Sequence, residues 1–97
     1  MNMLLQQFMR LSPDVMARRV GKETFILSVK SECYFGLDEI GSRMFVLLTE
    51  GASVGDTLRQ MESEYAVERE KLESDLVSLI GELARHQLIE IVASRPL

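Results

Sequence analysis

Ninety-seven residues, 46% of them hydrophobic, provide for one globular domain with one core and exclude two independent ones. Eleven Lys and Arg against fifteen Asp and Glu leave a net charge of −4, which counts against a nucleic-acid binder, whose affinity comes largely from phosphate contacts. A lone cysteine, Cys33, cannot form an internal disulfide, and with a single histidine, His86, it offers no metal-ligand spacing.

In chain order, Met1 to Leu11 lacks a basic segment ahead of an apolar run and lacks a small-residue cleavage site, so it does not read as a secretion signal. No apolar stretch approaches the ~20 residues of a membrane span. These features read as a cytoplasmic, reduced and soluble chain with no membrane partner. Pro13 ends whatever precedes it. Val15 to Val20 reads as a first strand, and the two-residue Gly21-Lys22 connection suggests a hairpin. Thr24 to Val29 is the strongest strand, with Phe25, Leu27 and Val29 on one face and Thr24, Ile26 and Ser28 on the other. After the polar turn Lys30-Ser31-Glu32, Cys33 to Leu37 forms a third strand that completes an antiparallel meander. Its Cys33, Phe35 and Leu37 share a face opposite Tyr34.

The apolar period then changes from two to about 3.6. Asp38 is an N-cap residue, followed by the stripe Ile40, Met44, Leu47 and Leu48, and Gly51 stands at the position of a helix C′ glycine. Ser53 with Asp56 resembles a capping box, with Asp shorter than the usual Glu. A second helix follows over Val54 to Glu64, burying Val54, Leu58 and Met61. A third runs from about Glu68 to His86 with the stripe Leu72, Leu76, Leu79, Ile80 and Leu83. Leu88 to Val92 is a short terminal strand or extended tail. The expected fold is α+β, a three-stranded antiparallel sheet followed by three helices, of the winged helix-turn-helix kind, in one domain with a core of about residues 15–92.

Chemistry is sparse. Cys33 and His86 lack an orienting third group and an oxyanion site, so Cys33 reads as a small strand hydrophobe. The six glycines match no dinucleotide or nucleotide-triphosphate loop, and no cofactor is expected. In a winged helix-turn-helix the third helix would enter the major groove. Here it carries Arg69, Lys71 and Arg85 against Glu68, Glu70, Glu73, Asp75 and Glu82, a balance that phosphate repels.

Peptide binding fits better. The segment Cys33-Tyr34-Phe35-Gly36-Leu37 carries no charge and no Pro, and so has none of the devices that block a sheet edge. An incoming strand would pair with its main chain, while pockets beside it gave specificity. The flank of the third helix supplies the second wall: Leu79 as an apolar floor, Asp75 and Glu82 for cationic residues, Lys71 and Ser78 further round. Leu72 belongs to that wall or, with Leu76 and Leu83, to plain core. Tyr34 is either a wall of the groove or a cover for the sheet.

The run Cys33-Tyr34-Phe35-Gly36-Leu37-Asp38-Glu39-Ile40-Gly41-Ser42-Arg43-Met44-Phe45 resembles the strand-to-helix junction of the PqqD-like family. So does Glu73-Ser74-Asp75-Leu76-Val77-Ser78-Leu79-Ile80-Gly81-Glu82-Leu83, and the segment Gly51 to Tyr65 fits the same pattern. The resemblance extends over Val15 to Val92. It implies a winged helix-turn-helix, non-enzymatic recognition element for ribosomally made, modified peptides. Such a protein holds the precursor's leader as an added strand between the third strand and third helix, and presents it to a modifying enzyme or protease. The wording Tyr34-Phe35-Gly36-Leu37 is most similar to the stand-alone proteins of lasso peptide biosynthesis, whose implied partner is a separate cysteine leader peptidase. A chaperone of pyrroloquinoline quinone biosynthesis, working with a radical enzyme, is the next nearest likeness. The sequence departs from the family at Gly81, inside the third helix, and at Gln87, where Gly is frequent.

Overall fold

The alternating pattern of residues 15–37 does form three antiparallel strands, and the 3.6-residue pattern beyond it forms three helices. The computed structural model describes residues 3–95. Met1 and Asn2, at the head of the segment excluded as a secretion signal, lie outside the described residues, as do Pro96 and Leu97. The elements in order are a 3-10 turn at Met3–Gln6, then β1 (Phe8–Leu11), β2 (Val15–Val20), β3 (Glu23–Ser28) and β4 (Cys33–Leu37). They are followed by α1 (Glu39–Thr49), α2 (Val54–Glu64), α3 (Arg69–Arg85) and β5 (Ile89–Val92).

The fold is α+β, with the three-stranded sheet in the order β2-β3-β4 followed by the three helices. A second, two-stranded sheet joins β1 to β5, with Met9 opposite Ile91 and Leu11 opposite Ile89. The sequence pattern had not indicated β1, and it left β5 as strand or tail. Phe8-Met9-Arg10-Leu11 is too short to show a period, and its partner lies about eighty residues away in the chain. Arg10 Nε donates to Glu90 Oε1 across the pair at 2.7 Å. The core accordingly begins upstream of Val15: Met9 is 2% exposed, and Leu4, Leu5 and Leu11 pack against it.

On β3 the more apolar face is the outer one. Thr24, Ile26 and Ser28 are buried, while Leu27 and Val29 are exposed. Hydrophobicity alone would choose the other face; α1, packed beneath the sheet, decides which side is interior. The helices keep their expected stripes, to which Phe45 and Ser42 on α1 and Thr57 on α2 are added as buried positions.

Caps fix the ends of the helices. Asp38 accepts from the Gly41 N–H at 2.8 Å, and Ser53 accepts from the Asp56 N–H at 3.0 Å. Both α1 and α3 end in the same double turn-back of the chain. Gly51 and Ala52 donate to the carbonyls of Leu48 and Leu47, and Gln87 and Leu88 donate to those of Ala84 and Leu83. The pivot residue needs a left-handed backbone, at φ +107° for Gly51 and +60° for Gln87. Gln87 thus keeps the conformation that a glycine favours, and α3 turns into β5 without one.

Candidate functional site

Strand β4 is the edge of its sheet. It pairs with β3, Leu37 opposite Thr24 and Cys33 opposite Ser28, and with no other described strand. Leu37 is buried, and its carbonyl accepts from the Ser42 hydroxyl at 3.4 Å, so the end of β4 is tied to the first turn of α1. The capped turn Asp38–Gly41 then carries Ile40 and Gly41 beside the open edge.

The opposing wall is α3. Leu72, Leu76, Ile80 and Leu83 face the core. Lys71, Asp75, Ser78, Leu79 and Glu82 follow at i, i+4, i+7, i+8 and i+11, which places them in one strip beside that stripe. Between this strip and β4 runs an open trough of about 570 Å³. Phe35, Gly36 and Leu37 line one side, and the whole α3 strip, with Leu72, lines the other. Leu72 and Met44 are fully buried and form the floor from within the core, whereas Leu79 is half-buried and presents apolar surface to the trough.

Nine of the eleven residues singled out from sequence therefore border one cleft. Cys33 and Tyr34 do not. They line a smaller adjoining hollow of about 300 Å³ with Phe35, His86 and Leu88. Tyr34, 73% exposed, points from the outer face of the sheet, its ring 6.4 Å from that of Phe25. It is a cover for the sheet and not a wall of the trough. Sequence reasoning missed Asp38, Ile40, Gly41, Met44 and Val67, which also line the cleft. The first four stand at the strand-to-helix junction, and their adjacency to the edge strand was the available signal.

The lining is acidic: Asp38, Asp75 and Glu82 against Lys71. Lys71 Nζ lies 3.3 Å from Asp75 Oδ2 and partly offsets it. Glu82 is hydrogen-bonded by Arg85, which lowers its pKa below the usual carboxylate value, and His86 Nε2 lies 3.5 Å away. Glu82 therefore stays an anion across the neutral range.

Cys33 and His86 border the same hollow, closer than their separation in sequence suggested. Among the described residues, however, no hydrogen bond joins them. The His86 ring packs against Phe35 at 5.8 Å between centroids. Cys33 is exposed and free. The basic residues of α3 are all engaged by carboxylates: Arg69 by Glu62, Lys71 by Asp75 and Arg85 by Glu82. Among the described residues no cluster of three His, Cys, Asp or Glu could hold a metal ion, and no helix is long and apolar enough to cross a membrane.

A family model described as coenzyme PQQ synthesis protein D (PqqD) matches residues 23–89. Comparison with curated proteins gives no match. Two solved structures superpose with a TM-score of 0.78 each. One is TbiB1 in complex with the TbiA(beta) leader peptide, 33% identical, with 84% of this chain and 94% of that one covered. The other is a lasso peptide synthetase B1 complexed with the leader peptide, 26% identical, with 84% and 96% covered.

Proposed function

The chain belongs to the PqqD family, and we propose that it is a non-catalytic adaptor that binds the leader of a ribosomally made precursor peptide. The observation that carries this reading is the unpaired edge of β4 lying alongside the trough. A leader entering as an extended strand pairs its main chain with Cys33–Leu37, each bond contributing about 0.5–1.5 kcal/mol. Alternate leader side chains then face α3. There Leu79 takes an apolar residue, and Asp75 and Glu82 favour a cationic one. The same edge in a repressor would have no use, and the cations of α3 are already paired. The arrangement of α2 and α3, joined by the four residues 65–68, is read as the helix-turn-helix pair of a winged fold put to peptide binding.

The work of such a protein is proximity. Holding the leader while an enzyme acts on the attached peptide raises their effective concentration, often to the millimolar range. The receiving enzyme is taken to be a cysteine leader peptidase of the lasso type; both similar structures hold a leader peptide, and one of them is a lasso peptide synthetase B1. The family description itself favours a second reading, a chaperone of pyrroloquinoline quinone biosynthesis.

The test is a titration with the leader of each precursor class. Amide exchange at residues 33–37 is expected to slow on binding of the lasso leader. Unchanged exchange there, with saturating peptide, removes the β4 edge as the site. Asp75→Lys is expected to weaken binding about tenfold, or ~1.4 kcal/mol, with the melting temperature held. Tight binding of only the quinone-cofactor precursor selects the second reading. Cys33→Ser is expected to leave function intact, whereas a thiol enzyme would lose its activity.

A further inference from the structure

The open edge of β4 has a counterpart on the far side of the same sheet. Strand β2, like β4, pairs with β3 alone among the described strands. Its side chains are exposed from Met16 to Val20. Register sets Val15, Ala17 and Arg19 opposite the inward-facing Ser28, Ile26 and Thr24, so Met16, Arg18 and Val20 lie on the outer face. Met16 and Val20 are 59% and 55% exposed. Neither Arg18 nor Arg19 has an ion-pair partner among the described residues. The outer side of β2 thus presents an apolar residue, a cation and an apolar residue at alternate positions. The trough offers the matching chemistry, with Leu79 for an apolar side chain and Asp38, Asp75 and Glu82 for a cation.

We propose that, while no leader is bound, the β4 edge takes β2 of a second copy of this chain. The inference rests on the leader-binding reading in one respect: it makes leader and second copy rivals for one edge. Charge decides among the ways in which the edges of this sheet can meet. Two β2 edges would set Arg18 and Arg19 against their own equivalents. Two β4 edges would bring two acidic troughs together. Setting β2 on β4 places cations against carboxylates instead.

Topology agrees with charge. Strands β2 and β4 run in the same direction, because each is antiparallel to β3. A copy turned over about an axis across its strands therefore offers β2 antiparallel to β4, the better-bonded arrangement. Turning over also exchanges the faces, so Met16, Arg18 and Val20 of the copy point toward α3. The helices of that copy then lie on the opposite side of the extended sheet and do not collide with α3. The contact is heterologous: each pair still has a free β2 at one end and a free β4 at the other, so assembly does not close at two. A five-residue strand gives a contact only ~17 Å long, well short of a stable standard interface. Association is accordingly weak and reversible. It covers an edge that has no blocking residues of its own, and a leader displaces it.

Sedimentation velocity on the full chain, from micromolar to millimolar concentration, reads the association directly. The mean mass is expected to climb past that of a dimer without a plateau, and saturating lasso leader is expected to return it to the monomer. Arg18→Glu is expected to weaken self-association about tenfold or more, while leader affinity at low protein concentration, read by fluorescence anisotropy, stays within about twofold of the parent. Asp75→Lys is expected to weaken self-association as well. Mixing the two variants is expected to restore it, since the intact β2 of one meets the intact trough of the other. Both substitutions exchange exposed charges, and circular dichroism checks that each variant is folded. A parent that stays monomeric throughout, a mass that stops at the dimer, or association indifferent to Arg18→Glu overturns the contact. Association that persists with leader bound overturns it too. Association that Arg18→Glu weakens, in a chain that binds no leader, leaves the contact standing and ends the leader-binding reading.

Discussion

The two sheets treat their edges in opposite ways. The β1–β5 pair lies against the helices and is fastened on several sides. Ser12 N–H donates to the Leu88 carbonyl at 3.0 Å, Val54 N–H donates to Gln7 at 2.9 Å, and Met9 and Ile89 are buried. It closes the domain by bringing distant segments together. The β2–β3–β4 sheet differs, with β2 exposed over nearly its whole length and β4 left with an edge that no other described strand pairs. In one molecule of this size, stability is concentrated where the chain ends meet and binding potential where the meander stands free.

The sharpest way to break this contrast is to excavate the closed sheet. Met9→Ala or Ile89→Ala is expected to cost about 2–5 kcal/mol in urea unfolding, because each leaves a cavity in the core. Leu27→Ala on the open sheet is expected to change stability by less than ~1 kcal/mol. Equal losses at the two places would end the distinction. The approach of the chain to β1 offers a second probe. A Cβ on Gly55 would stand 2.9 Å from the Leu5 carbonyl oxygen. Gly55→Ala is expected to cost roughly 1–3 kcal/mol and to speed amide exchange at Val54, since a backbone atom must move to make room.

The helices that carry both sheets contain a pH-sensitive tie. Arg43 Nε and the Arg43 Nη2 nitrogen each donate to Glu64 at 2.7 Å, joining α1 to α2. This fork, with Gln60, lowers the Glu64 pKa from 4.5 to about 2. The folded value is depressed, so the contribution is complete above pH ~4.5 and is lost as pH falls toward 2. With about a quarter of the Glu64 side chain exposed, solvent screening limits it to about 1 kcal/mol. Unfolding curves at pH 6 and pH 3 should show parent and Glu64→Gln converging at the lower pH. The smallest effect concerns the two matching helix ends. Gln87→Gly is expected to raise stability by up to ~1 kcal/mol, by relieving a left-handed backbone at the entrance to β5. Gly51→Ala is expected to lower it by a similar amount, and thermal melts of both variants measure the pair.

The site was legible to the extent that it is local. Cys33–Leu37 lacks edge-blocking residues, and Lys71, Asp75, Ser78, Leu79 and Glu82 follow helical spacing beside an apolar stripe. Both facts are visible in one dimension. Val67 and Met44 were not visible as lining residues, because a turn residue and a core methionine have no pattern that reports a neighbouring cleft. Tyr34 went to the outer face, since alternation on β4 puts it opposite Phe35, and the side facing the trough was decided by where α3 lies.

Periodicity, caps and turn residues determined the element types and nearly every boundary from Val15 onward, because those depend on neighbours a few positions apart. Which face of β3 is interior, the pairing of β1 with β5, and the cleft between β4 and α3 were decided only by tertiary structure. Each of these depends on surfaces brought together from distant parts of the chain, and burial in this fold follows the helices beneath the sheet more than the hydrophobicity of the strand above them.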